Sequence, residues 1–203
     1  MANIGQTPPG FRLPSGQGPD IGLEDYRGRK HLVVWFTKGM ACPFCRTNMS
    51  QLARGYDRMK ALNAEILQVT PTPPDRAQFY VKNFPIPFPY LCDPEYRVFA
   101  DWGIAVHSHS PLWYAKMAVA VARMPPPPTS DLGEPPVTLP EKLRLFHDND
   151  MGFFILDRSG LVRYALSGTY MHAQGTRQIP SNDEIVRELE RCEGGAPVAG
   201  RPA

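Results

Sequence analysis

The segment His31–Thr37, HLVVWFT, runs through Lys38-Gly-Met-Ala into Cys42-Pro-Phe-Cys45, and the periodicity changes at that point. Before the cysteines the chain is continuously apolar, β-branched or aromatic, which is the pattern of a short strand buried on both faces. After them Phe44, Met49, Leu52, Tyr56, Met59 and Leu62 recur at helical spacing, with Arg46, Arg54, Arg58 and Lys60 between. Pro43 suits the first turn of that helix, where its missing N–H costs nothing. A second apolar run, Ala64–Thr70, follows directly. Strand, helix and strand in this order commit the chain to a sheet with helices packed on it.

The rest of the sequence extends the pattern. Ile4–Lys30 is a turn-rich lead-in. PPDRAQFYVKNF reads as a helix opened by prolines, FPYLC as a third short strand, and DPEYRVFADWG as a short helix closed by Gly103. The rhythm then breaks. Between Ala105 and Asp150 lie a nearly all-apolar helix, Pro111–Met124, and a proline-rich stretch of little periodicity. GFFILD and LVRYALSG, joined by RSG, form a hairpin. Ser181, with Glu184 three residues on, caps a final helix, and the tail from about 194 to 203 is expected to fray. The expected fold is an α/β domain over residues 1–203. Its central mixed sheet is flanked by helices and interrupted by a proline-rich insertion at about 105–150.

Composition narrows the function. At 203 residues a single domain can bury about 70% of its unfolded surface and needs no disulfide staples. The net charge of +2 and the lack of a dense Lys/Arg run point away from nucleic acid. No apolar stretch approaches the roughly 18 residues of a membrane span, and MANIGQTPPGF is not a recognisable signal peptide, so the expected compartment is the cytoplasm. Most of the 23 prolines cluster in PTPPD, FPIPFPY, MPPPPTS and GEPPVTLP, which mark loops and stiff connectors. Four cysteines are too few for a disulfide scaffold of this size, so the close pair suggests chemistry.

A thiolate, not a thiol, is the nucleophile. A cysteine at the first turn of a helix faces unpaired N–H groups and the positive end of the helix dipole, which lowers its pKa. A second cysteine three positions on can attack a mixed disulfide or sulfenate formed on the first. Cys42 is therefore expected to be the exposed nucleophile and Cys45 the resolving thiol, with Lys38 and Arg46 adding positive charge. A structural zinc site would want a second CxxC or a His pair at ligand spacing, and neither is present.

Strand, CxxC, long helix, and later FILDRSGLVRY with a terminal helix resemble the thioredoxin fold. ILQVTPTPP and FPYLCDPEYRVFADWGI resemble its peroxiredoxin-like branch, the alkyl hydroperoxide reductase and thiol-specific antioxidant group. The similarity covers about Ile4–Ile104 and Met151–Glu193 and leaves the insertion unexplained. It implies a thiol-dependent oxidoreductase acting on a hydroperoxide or disulfide, with no organic cofactor and no metal. An external thiol system of thioredoxin or glutathione type would re-reduce it. Peroxiredoxins typically carry Pro-x-x-x-Thr-x-x-Cys and an arginine on the neighbouring strand. On this sequence the peroxidatic position is Cys45, the threonine position is Cys42, the proline position is Lys38, and the arginine falls near Met151. The departures leave a disulfide reductase without useful peroxidase activity as one alternative. Another is a copper chaperone using the cysteine pair and His147.

Cys92, ending the third strand, is expected to be buried and structural, and Cys192 to be a bystander in the last helical turn. His107, His109 and His147 are read as loop histidines flanking the insertion. The apolar Pro111–Met124 helix is too short to cross a bilayer, which takes about 20 residues. It is expected to pack beside the dithiol or against a second subunit, which makes a homodimer one outcome.

Overall fold

The computed structural model describes residues 2–107, 109–123, 130–145, 148–169, 171–172, 175–176 and 179–194. His147, the Pro125–Pro128 run and the tail beyond residue 194 lie outside the described residues. The short strands β1 (Arg12–Leu13) and β2 (Ile21–Gly22) form the lead-in. Next come β3 (His31–Phe36), α1 (Pro43–Ala61), β4 (Ala64–Thr70), α2 (Pro74–Asn83), β5 (Tyr90–Cys92) and α3 (Arg97–Asp101). The insertion holds β6 (Val106–His107), α4 (Pro111–Arg123), α5 (Leu139–Leu145) and β7 (Asp148–Asn149). The chain continues through β8 (Met151–Leu156), β9 (Val162–Gly168), β10 (Met171–His172), β11 (Gly175–Thr176) and α6 (Asn182–Glu193).

The central sheet has the order β5-β4-β3-β8-β9. β3, β4 and β5 run parallel, β8 runs antiparallel to β3, and β9 antiparallel to β8. This is the mixed α/β sheet that the run of elements predicts. All six residues of β3 and all seven of β4 are buried, because each strand has a neighbour on both edges and cover on both faces. Val33, Trp35, Ile66, Phe153 and Ile155 pack with side chains of α1, α2 and α6. Leu32, Val34, Phe36, Leu67, Val69 and Phe154 pack on the opposite face with Val98, Phe99, Trp102 and the lead-in residues Leu13 and Leu23.

Helix α1 turns one stripe into the first of these cores: Cys45, Met49, Leu52, Tyr56 and Met59 are buried at spacings of three and four. Burying one such Leu or Met side chain stabilises the fold by about 1.5–3 kcal/mol. Beyond the helix, Asn63 takes the left-handed conformation at φ 54° and sends the chain into β4. At α6 the capping box forms as the sequence predicts. Ser181 N–H donates to Glu184 Oε2 at 2.9 Å, and Glu184 N–H donates to Ser181 Oγ at 3.3 Å.

The insertion leaves and rejoins the domain at one point. Asp150 N–H donates to Ala105 O at 2.8 Å, and β6 pairs antiparallel with β7. Residues 105 and 150, the expected boundaries, are therefore the two feet of a short ladder.

Candidate functional site

The loop Thr37–Cys42 leaves the C-terminal end of the central strand β3, where the parallel neighbours β4 and β5 also end. Crevices outside the carboxyl ends of parallel strands are where α/β sheets place their ligands. Gly39 allows the turn: its φ is +80°, and a Cβ there would lie 2.3 Å from Tyr90 Oη. The Met40 backbone is held on both sides of its Cα. Its N–H donates to Tyr90 Oη at 2.9 Å, and its carbonyl accepts from Arg46 Nη1 at 3.0 Å. Thr72 Oγ1 lies 2.9 Å from the same tyrosine oxygen, which ties the β4–α2 loop into the arrangement.

Cys42 is the N-cap of α1 with extended backbone, at φ −87° and ψ 119°, and Pro43 opens the helix as expected. Cys45 therefore stands at the third helical position, among the N–H groups of the first turn. Both cysteines are buried: Cys42 is 5% exposed and Cys45 0%. This corrects the expectation of an exposed, acidified Cys42. Its thiol is pushed well above the ordinary cysteine value by a hydrogen bond to the Cys45 sulfur, by burial and by charge on Cys45. The backbone N–H of Cys45 and the Lys38 ammonium oppose the shift but do not cancel it. Cys42 therefore keeps its proton near neutral pH.

Lys38 and Arg46 part company. Lys38 Nζ donates to Leu145 O at 3.3 Å, and its charge favours a Cys42 thiolate. Arg46, expected to add charge beside the sulfurs, is instead a buried brace for the Met40 carbonyl, with Glu134 at 3.9 Å. Met151, at the arginine position of the resemblance, is fully buried in the core that contains Cys42 and Cys45. It offers a thioether where a guanidinium would polarise an O–O bond.

The remaining candidates separate cleanly. Cys92 on β5 is two strands from β3 and buried, and burial first, then Asp75, pushes its thiol up to about 12. Cys192 is partly buried, and chiefly burial pushes it up to about 11. Neither is poised to react near neutral pH. His107 Nε2 pairs with Asp150 Oδ1 at 3.0 Å, and His109 stacks on Trp113 with ring centroids 3.6 Å apart. Among the described residues, no group of three or more His, Cys, Asp or Glu side chains is placed to hold a metal ion.

Among the described residues, the part of the insertion seen beside the redox loop is not the apolar helix. The described ring contacts of α4 run through Trp113 and Tyr114 to His109, while Leu112 and Val119 are 65% and 51% exposed. Ser130–Leu145 docks instead. Ser130 Oγ lies 2.8 Å from Ser50 Oγ, Leu132 is buried in the α1-side core, and Asp131 pairs with Arg54. In α5, Glu141 is buried and receives a two-pronged bond from Arg76 at 2.9 and 3.0 Å. Tyr80 Oη and the Thr138 N–H and hydroxyl also donate to it. Burial alone would raise the carboxyl pKa; these donors outweigh burial and hold it at about 2.

Sequence reasoning missed Tyr90, Thr72, Arg76 and Glu141. Thr72 had a signal, since the loops after two adjacent parallel strands emerge side by side. Tyr90 had none, because its reach depends on the register of β5 on β4, and Arg76 and Glu141 had none, because their pairing depends on which segment folds over the loop.

The sequence profile of the AhpC/TSA family matches residues 4–125. The chain belongs to the AhpC/TSA family. The match ends two residues beyond α4, so the second half of the insertion and the β8–β9 hairpin lie outside it. Relatives include the chloroplastic peroxiredoxin Q of Populus jackii, 28% identical over 102 residues, covering 50% of this chain and 47% of that protein. Peroxiredoxin Bcp of Escherichia coli strain K12 is 25% identical over 100 residues, covering 49% of this chain and 64% of that protein. The chain spans about half the length of the chloroplastic relatives it matches. Among solved structures, the reduced 2-Cys peroxiredoxin of Plasmodium vivax superposes with a TM-score of 0.62, covering 95% of this chain and 97% of that one at 15% identity. Peroxidoxin BcpB of Mycobacterium tuberculosis gives 0.59, covering 94% and 98% at 16% identity. The fold is thus the thioredoxin-like fold that the family shares. The α/β expectation and the resemblance both hold.

Proposed function

We propose that the chain is a thiol-dependent peroxidase in which Cys45 is oxidised and Cys42 resolves. The observation that carries this reading is the sulfur pair at the start of α1, with Cys42 holding its proton toward Cys45. In the first step the Cys45 thiolate attacks the terminal oxygen of a hydroperoxide. The O–O bond breaks, the alcohol leaves with a proton, and Cys45 becomes a sulfenic acid. Cys42, already facing that sulfur, attacks it, forms the disulfide and releases water. Two equivalents of an external thiol, of thioredoxin or glutathione type, restore the dithiol. No organic cofactor enters these steps. In this reading the S–H of Cys42 takes the place of the threonine hydroxyl of the family pattern. Cys45 is fully buried, so each turnover requires the Thr37–Cys42 loop or its α5 cover to move.

One observation favours a second reading, a disulfide reductase. Met151 supplies no donor to the leaving oxygen, and such donors are usually a large part of catalysis. Stopped-flow mixing of the reduced protein with hydrogen peroxide or with a model disulfide separates the two. The peroxidase reading expects peroxide to remove both thiols, at a rate well below the diffusional ceiling of about 10⁸ M⁻¹s⁻¹. Loss of thiols to the disulfide alone would leave the reductase.

A further inference from the structure

Exposed apolar side chains are concentrated in the insertion. Of the six large hydrophobic residues in solvent among the described residues, Val106, Leu112, Val119, Leu139 and Leu143 belong to it, and only Ile4 does not. In α4, exposed Leu112, Ala115, Lys116, Val119 and Arg123 recur at spacings of three and four. At 3.6 residues per turn they fall within about 100° of arc, so apolar and cationic side chains share one stripe. Trp113 and Tyr114 are half-buried beside it, and the helix carries no acid. The charges of the insertion are sorted in the same sense. Asp131 pairs with Arg54, Glu134 with Arg46 at 3.9 Å, Glu141 with Arg76, and Asp150 with His107. Lys116, Arg123 and, in α5, Lys142 are exposed and have no carboxylate partner among the described residues. The acids are spent within the protein and the cations are left to solvent beside apolar side chains.

We propose that α4 lies on the surface of an anionic phospholipid bilayer. Leu112 and Val119 enter the acyl boundary, and Trp113 and Tyr114 rest at headgroup level, where amphipathic rings are favoured. The long stems of Lys116 and Arg123 reach back from the same stripe to the phosphates. A second copy of the helix fits less well. It would set Lys116 and Arg123 against further cations with no acid to meet them. The helix has 13 residues, against about 20 for a span, so it lies on the bilayer rather than crossing it. The feet of the insertion stand at the dithiol end of the sheet: Phe36, the last residue of β3, pairs with Gly152, two residues after Asp150. A bilayer-bound α4 therefore tethers the domain by the end that carries Cys42 and Cys45.

The test mixes reduced full-length protein with vesicles of phosphatidylcholine and phosphatidylglycerol in equal parts, or of phosphatidylcholine alone, and reads binding by flotation. Tryptophan emission gives a second readout. Trp35 and Trp102 are buried in the two cores, so a blue shift on adding vesicles belongs to Trp113. Binding to the anionic vesicles should be at least about tenfold stronger at low ionic strength and should weaken as salt is added. Lys116→Gln and Arg123→Gln should each weaken it about fivefold. Val119→Asp should abolish flotation and blue shift while far-UV circular dichroism shows a folded protein. Failure to float with anionic vesicles overturns the proposal, as does equal binding to both compositions that salt leaves unchanged. A blue shift that grows with protein concentration without lipid, and is lost in Val119→Asp, assigns the stripe to a second copy and overturns it too. The salt dependence and the two glutamine variants keep the test decisive if Val119→Asp fails to fold. Neither readout uses the dithiol, so failure of the peroxidase reading leaves this one standing.

Discussion

The backbone of a single residue, Met40, sets the geometry of the redox loop, and the side chains that hold it come from three places in the chain. Tyr90 arrives on β5, Arg46 from inside α1, and Thr72 from the loop beyond β4. Removing the tyrosine hydroxyl leaves a buried N–H unsatisfied. Tyr90→Phe should therefore cost about 1–3 kcal/mol in denaturant unfolding. It should also speed alkylation of the dithiol by loosening the loop; unchanged alkylation would show that Tyr90 does not position it. At the sulfurs the expected outcomes separate the roles. Cys45→Ser should abolish oxidation by peroxide. Cys42→Ser should still consume one equivalent and leave a sulfenic acid on Cys45 that dimedone traps and mass spectrometry locates. An adduct trapped on Cys42 in the Cys45→Ser protein would reverse the assignment.

Among the elements, α5 does more for the site than its length suggests. Its second residue is a proline and its two leucines at i, i+4 spacing, Leu139 and Leu143, are exposed, yet Glu141 anchors it to Arg76 and Tyr80 of α2. The anchor has a pH signature. The Glu141 carboxyl sits at about 2 in the folded protein against an ordinary value of 4.5. A depressed carboxylate stabilises fully above its unfolded value and loses that contribution as pH falls through the folded value. Docking of the Ser130–Leu145 segment should therefore weaken between about pH 4.5 and pH 2. Limited proteolysis of the insertion across that range would reveal it. Glu141→Gln should remove this acid dependence and cost about 1–3 kcal/mol at neutral pH, because hydrogen bonds to a charged group are lost. An insertion equally protected at pH 2 and pH 6 in the unaltered protein would contradict the account.

Across the whole molecule, the site depends on a sheet covered on both faces and on two helices brought unusually close. Gly55 of α1 faces Asn182 at the start of α6, where a Cβ would lie 2.4 Å from Asn182 Cγ. The Asn182 side chain donates to Gln51 O at 2.7 Å, which draws the two helices together. Gly55→Ala gains helix propensity in α1 yet forces α6 away, and overpacking of this kind costs about 1–3 kcal/mol. A lowered melting temperature is the expected result. A raised one would mean that the Asn182 side chain simply swings aside. No described helix is long and apolar enough to cross a membrane.

The main elements and the strand–CxxC–helix junction were legible from residue patterns, because each rests on local physics. Continuous apolar runs demand burial on both faces, Pro43 opens a helix, and Ser181 with Glu184 closes a cap within one turn. The spacing of Cys42 and Cys45 likewise determined that the two sulfurs meet, since three residues of helix start bring them together whatever the rest of the chain does. Tertiary structure decided that Cys42 keeps its proton. The pKa of Cys42 follows from burial and from the state of its neighbour, and helix-start position alone misjudges both. It also decided which part of the insertion covers the loop. The apolar helix α4, the obvious candidate, leaves Leu112 and Val119 in solvent, and the polar, proline-broken Ser130–Leu145 takes the place beside the dithiol. Its docking rests on the buried Leu132 and on Glu141 meeting Arg76, a charge pair 65 residues apart in sequence. Periodicity records which face of a segment seeks burial, but carries no trace of a partner brought near only when the sheet closes.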